Sequence, residues 1–253
     1  MSLSLLAGVW WGVVGLALGS FLTVVIARLP DGRSVVSPPS HCPSCGHRLG
    51  PGELVPVVSY LAARGRCRHC GASIPAWYLA VELAAGAGSA ALAWLLFPAA
   101  RLYPALLLWL VGIAASAIDL KVRRIPNVLL AAAAAILAAV LAVGGMRGYL
   151  AAVEGAALLS AFGLLVAVVG RGGMGMGDVK YLTLVGAALG PRGGLVALYA
   201  TMLTGGLYAI ALLATGRARK GMRIAFAPFI AAGSMVGAVL GPEVWRWYGG
   251  WAA

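Results

Sequence analysis

Apolar residues run along this chain in long blocks, separated by short connections of Gly, Pro and basic residues. Eight blocks stand out, at residues 3–27, 77–97, 102–118, 128–143, 149–169, 179–189, 195–215 and 225–240. A helix needs roughly 20 apolar residues to cross a bilayer, and the breakers between the blocks mark their ends. The first 27 residues carry no charge. A secretory signal would have a basic start and a short apolar core, so this block reads as a retained helix. The predicted fold is an all-α polytopic membrane protein of about eight transmembrane helices. One block is short: residues 178–190 reach only about 20 Å at 1.5 Å each, against a hydrocarbon core of about 30 Å.

Composition supports lipid as the main solvent. The chain has 253 residues, 62% hydrophobic and 10% charged, where a soluble domain is about a quarter charged. Its net charge of +12 would suit nucleic acid, but the charges lie in clusters between apolar blocks, so no nucleic-acid partner is expected. They follow the bias of cytoplasmic loops toward Lys and Arg. With the connections after the first, third, fifth and seventh blocks in the cytoplasm, 15 of the 19 basic residues fall there, including Lys121, Arg123, Arg171, Arg219, Lys220 and Arg223. Both termini then face outward, in a multi-pass membrane protein.

Residues 28–76 differ in kind. They hold all four cysteines, all three histidines and many Pro, Gly and Ser. The expected division is a first transmembrane helix (1–27), a small cytoplasmic loop domain (28–76) and a seven-helix membrane domain (77–253). Cys42 and Cys45 form one C-x2-C pair, Cys67 and Cys70 another, and Gly46 and Gly71 follow them. Two such knuckles suit a tetrahedral, structural zinc site with no open position. About 50 residues lack enough core to fold alone, so a metal staple makes physical sense. The alternative is two disulfides, which a reducing cytoplasm disfavours. His41, His47 and His69 would be surplus as ligands.

The chain has seven acids: Asp31, Glu53, Glu82, Asp119, Glu154, Asp178 and Glu243. Ionisable groups within membrane helices are functional candidates by default. Asp119 ends the third block in SAIDLKVRRIPN, and Asp178 begins the sixth in GMGMGDVK. The topology puts both at one membrane depth, on the cytoplasmic side. Two close carboxylates share a proton, so one can deprotonate water while the other hydrogen-bonds a scissile carbonyl. The glycines from Gly173 to Gly177 leave room for backbone and substrate. The simpler readings are that Asp119 pairs with Lys121, Arg123 or Arg124, and that Asp178 is an N-terminal helix charge or a partner of Lys180. Glu82 and Glu154 lie inside apolar blocks, as interhelical hydrogen-bonding groups or as parts of an ion path. Asp31, Glu53 and Glu243 read as solvated.

Five strings together resemble the type IV prepilin peptidases, the GxGD-type membrane aspartic proteases: GSFLTVVIARLP at 19–30, CPSCGH at 42–47, VPVVSYLAARGRCRHCGASIPAWYLAVE at 55–82, DLKVRRIPN at 119–127 and GMGMGDVKYLTLVGAALG at 173–190. They occur in the family's order. The resemblance implies an endopeptidase that cuts the short basic leader from prepilins and pseudopilins, before a hydrophobic helix. It implies Asp119 and Asp178 as the catalytic pair. It also implies, for many members, S-adenosylmethionine-dependent methylation of the new N-terminus, an activity associated with the tetracysteine loop. Many members have Asn where this chain has Thr23. The rival readings are a transporter or ion-conducting protein using intramembrane acids, and a non-enzymatic scaffold.

Overall fold

The structure is a computed structural model and describes residues 2–143, 145–170, 174–217, 222 and 224–251. Arg171, Gly173, Arg219, Lys220 and Arg223 therefore lie outside the described residues. The described residues form eight α-helices: α1 (Leu3–Arg28), α2 (Val58–Ala62), α3 (Trp77–Leu96), α4 (Leu102–Val122), α5 (Asn127–Val143), α6 (Gly145–Val169), α7 (Met176–Ala214) and α8 (Ala227–Trp251). No β-strand occurs among them, only two isolated bridges. Contacts divide the chain into two compact units, Met1–Phe97 and Pro98–Ala253.

In the first unit α1 and α3 pack antiparallel through small residues. Gly8, Gly12, Gly15 and Gly19 recur at helical spacing on one face of α1. A Cβ at Gly15 would stand 2.6 Å from the Ala85 carbonyl oxygen, and one at Gly19 would stand 2.8 Å from the Ala85 Cβ. Glycine thus lets the two backbones meet, the usual basis of close helix contact in lipid. Thr23 is buried and donates to the Ser20 carbonyl at 2.7 Å, so it satisfies itself within its own helix.

The second unit is a helix bundle with a continuous apolar core. It draws Leu108 and Val111 from α4, Leu137 from α5, Leu159 from α6, Tyr181 and Val185 from α7, and Ile230 from α8. The helix α7 spans two of the expected blocks but is not one straight rod. Gly190 takes φ 66° and ψ −178°, a left-handed φ that favours glycine, and Pro191 disfavours helix for the residue before it. A Cβ at Gly194 would lie 3.5 Å from the Gly186 Cα. Eight residues along a straight helix separate two Cα atoms by roughly 12 Å, so the chain doubles back at Gly190. The leading half (176–189) packs against α6, where Gly155 meets Gly186 and Gly190. The trailing half (191–214) packs against α8, where Gly233 and Gly237 meet Ala197.

The eight apolar blocks are all helical. Among the described residues six helices are long and apolar enough to cross a membrane by length and composition, with α7 counted as one. Two blocks fall short of independent spans: α5 is a shorter apolar helix, and the leading half of α7 reaches about 21 Å at 1.5 Å per residue. That half stops at the Gly190–Pro191 turn and does not run on past the proline.

Candidate active site and thiolate cluster

Asp119 sits in the last turn of α4. Arg123 closes that helix in a left-handed conformation (φ 53°), its N–H bonded to the Asp119 carbonyl at 2.9 Å. The Asp119 side chain is buried, at 6% exposure. Its Oδ2 accepts from the backbone N–H of Ala227 at 3.1 Å. Ala227 opens α8, so its N–H has no partner within its own helix. A carboxylate there is favoured by the hydrogen bond and by the helix dipole.

Asp178 stands in the first turn of α7, half-buried. Its backbone N–H bonds the Gly175 carbonyl at 3.0 Å. Two glycines of the G-x-G-D string have separate uses here. A Cβ at Gly175 would lie 3.1 Å from Asp178 Oδ2, and one at Gly177 would lie 3.3 Å from the Ile125 Cβ. The first leaves space beside the carboxylate; the second lets the start of α7 press on the turn between α4 and α5. Met174 and Ile125 are buried beside it. Folded this way, the carboxylates of Asp178 and Asp119 interact as charges. Nearby, Lys180 Nζ donates to Asn127 Oδ1 at 2.9 Å. Sequence reading missed the Ala227 amide; its signal was Pro228 in the first turn of a helix, a common place for proline.

The other acids separate clearly. Glu82 is buried on α3, and its Oε2 accepts the Val57 N–H at 2.7 Å. Val57 has φ 62°, an outlier for a β-branched residue that needs an outside restraint. Glu82 is such a restraint, so it clamps the loop against its own helix. Glu154 is exposed on α6. Asp31 pairs with Arg33 at 2.7 Å and Glu243 pairs with Arg246, all at the surface. Glu53 is not simply solvated. Its Oε2 accepts the Gly50 N–H at 3.0 Å, and its Oε1 lies 3.8 Å from His69 Nε2. The Gly50 N–H, and then His69, His47 and Arg68, hold its carboxyl below the usual range.

The four cysteines converge. Each knuckle repeats one pattern: Gly46 N–H bonds Cys42 O and Gly71 N–H bonds Cys67 O, both at 2.9 Å, with the glycines at φ 70° and 73°. All four sulfurs lie within 4.8 Å of one another, and all four residues are free cysteines. The Cys42 and Cys70 sulfurs are 3.8 Å apart. A disulfide needs about 2.05 Å, while sulfurs at about 2.3 Å around a tetrahedral zinc stand about 3.8 Å apart. The N–H groups of Cys45 and Ser44 lower the Cys42 thiol to about 6, while, against the pull of the Ala72 N–H, burial and the neighbouring thiols push Cys70 up to about 11. The crowded thiols thus favour one thiolate, and a metal must displace the other protons. The donor set and spacing fit zinc and leave no position for substrate.

The bacterial peptidase A24 N-terminal domain matches residues 13–96, and the type IV leader peptidase family matches residues 105–210. The prepilin leader peptidase/N-methyltransferase of Bacillus subtilis (strain 168) is 34% identical over 236 residues, covering 93% of this chain and 95% of that protein. The chain belongs to the type IV leader peptidase family. Proteins of the same name from Aeromonas hydrophila (33% identical, 92% and 90% covered) and Burkholderia pseudomallei strain K96243 (35%, 94% and 87%) are also similar. No solved structure matches the chain significantly. The family match and the apolar helices make this a multi-pass membrane protein, and membership does not favour the transporter alternative.

Proposed function

We propose that the chain is a membrane aspartic endopeptidase that removes the leader from type IV prepilins or pseudopilins at the cytoplasmic face of the bacterial inner membrane. The observation that carries this reading is the placement of Asp119 at the end of α4 and Asp178 at the start of α7, near enough for their charges to bear on each other, in a member of the leader peptidase family. With one carboxylate ionised and one protonated, the pair acts as a unit. The ionised member takes a proton from water, which attacks the scissile carbonyl. The protonated member hydrogen-bonds that carbonyl and then protonates the leaving amine. The Ala227 N–H holds one Asp119 oxygen in place, and Gly175 leaves room for substrate backbone beside Asp178.

The substrate's two chemistries suit the surroundings. An open, mostly apolar groove of about 480 Å³ runs between α5, α6 and the leading half of α7, past Leu130, Leu137, Ala156 and Leu184. Asn127 and Lys180 lie at its polar end, and Lys180 is two residues from Asp178. The groove takes the apolar segment that follows the scissile bond. The positive-inside bias supports a cytoplasmic loop and outward termini, with lipid around the helices and residues 28–76 as a separate loop domain between a first helix and the rest. Cys42, Cys45, Cys67 and Cys70 hold a structural zinc that supplies fold and no chemistry. Methylation of the new N-terminus from S-adenosylmethionine is carried by the names of the relatives and by no residue set described above, so no step is derived through the donor.

The test is direct. Purified protein in detergent is mixed with a prepilin, with and without S-adenosylmethionine, and the products are weighed by mass spectrometry. The expected products are the leader and the mature chain, the latter methylated when the donor is present. Intact substrate at enzyme levels that saturate a known prepilin peptidase reaction contradicts the peptidase. Cleavage without methylation keeps the peptidase and removes the second activity.

A further inference from the structure

We infer a second metal site in the loop of the first unit, built from His47, Glu53 and His69 and separate from the four cysteines. One ligand atom from each of the three residues lies within 4.8 Å of the other two. The imidazoles of His47 and His69 stack with centroids 3.4 Å apart and planes 28° from parallel. Two of the donors are carried by the cysteine knuckles and the third by the turn that follows the first knuckle. The His47 carbonyl accepts the Cys42 N–H at 2.9 Å, and His69 lies inside the C-x2-C of Cys67 and Cys70. Glu53 closes the turn Pro51–Glu53, where the Gly50 N–H orients its Oε2 and leaves Oε1 facing His69.

The donor set defines the ligand. Two imidazole nitrogens and one carboxylate oxygen suit borderline divalent ions such as zinc, cobalt or nickel, while magnesium and calcium prefer oxygen alone. Metal–ligand distances of about 2.0–2.2 Å put donors roughly 3.2–3.5 Å apart, so Glu53 Oε1 and His69 Nε2 close from 3.8 Å, and the two stacked rings turn apart to aim their in-plane lone pairs at one ion. The His69 side chain is 46% exposed, so its ring has solvent to swing into as it leaves the face of His47. Three protein donors at an exposed edge leave coordination positions open, in contrast to the closed four-cysteine cluster. The second ion is therefore the weaker and exchangeable one, and its open position takes water or an external carboxylate or amine. Neither statement depends on the peptidase reading.

The experiment uses the full chain in detergent, without a polyhistidine tag, titrated with cobalt(II). The first equivalent gives intense thiolate-to-metal bands. Wild type takes up a further equivalent that adds only weak visible bands, because imidazole and carboxylate lack the thiolate transition. A mild chelator strips the second equivalent first. H69A, H47A and E53Q lose the second equivalent and keep the first, and the retained thiolate bands show that the loop is still folded. H41A keeps both, since His41 lies outside the cluster and bonds Pro39 O. Saturation of the wild type at a single equivalent overturns the site. Persistence of the second equivalent in both H47A and H69A also overturns it.

Discussion

The loop at residues 28–76 and the bundle of the second unit solve opposite problems. In the loop, among all its residues, only Cys42 and Cys67 are buried; two thiols are its core. Its order rests on tight turns, the Glu82 clamp on Val57 and whatever the sulfurs bind. The bundle buries large apolar side chains such as Tyr181, Leu108 and Ile230 completely and brings backbones together at glycines. A polar segment this small cannot bury enough surface to order itself, and the zinc proposed for its four cysteines would supply what burial does not. In lipid, burial of apolar surface no longer drives association, and close packing does. On the zinc proposal, one chain uses coordination chemistry in its loop and shape in the membrane.

That contrast is open to attack. The largest effect is expected from removing the metal. Structural zinc contributes on the order of 10–16 kcal/mol in zinc-finger peptides, so C42S or a strong chelator should unfold the loop and leave the bundle intact. Limited proteolysis should then cut within residues 28–76 and nowhere in the helices of the second unit. Continued protection of the loop would mean that the thiols are not its core. Next comes shape: in G155L the new side chain meets the Gly186 carbonyl, where a Cβ already collides. Overpacking of this kind costs about 3 kcal/mol, read as a lower Tm in detergent. G148A, with nothing within 4 Å, is the neutral control.

Two smaller changes sharpen the picture. A227P deletes the N–H that bonds Asp119, at a position in a first helical turn where proline fits. A hydrogen bond to a charged group contributes roughly 1.5–3 kcal/mol, so cleavage at a temperature where the variant stays folded should fall about tenfold or more, and the added ring at this fully buried position lowers Tm as a separate effect. E82Q keeps an acceptor but loses its charge, a change of about 1 kcal/mol. Hydrogen exchange at the Val57 amide should quicken while exchange in α4–α8 stays the same.

Much of this was legible in the sequence, and the limits have physical causes. Apolar runs announce membrane helices because lipid tolerates little else, and all eight blocks are helical. The cysteine spacing announces its own geometry because the knuckle is local. The reversal at Gly190–Pro191 was readable as a break, but only the approach of Gly194 to Gly186 reveals a hairpin. The bond from Ala227 to Asp119 joins residues 108 positions apart, and periodicity carries no information at that range. Glu53 looked solvated because its partners, the Gly50 amide and His69, come from turns whose shape depends on the knuckles. Gly8, Gly12, Gly15 and Gly19 were in plain view at 4-3-4 spacing, and only the partner helix shows what they are for.

The most direct measurement is leader cleavage of a co-expressed prepilin by wild type, D119N and D178N, at matched membrane levels. General acid–base partners contribute about 10²–10⁴-fold each, so each substitution should reduce cleavage to background while Tm and metal content stay at wild-type values. Normal cleavage by either variant would contradict the paired-carboxylate mechanism and return that aspartate to a structural role.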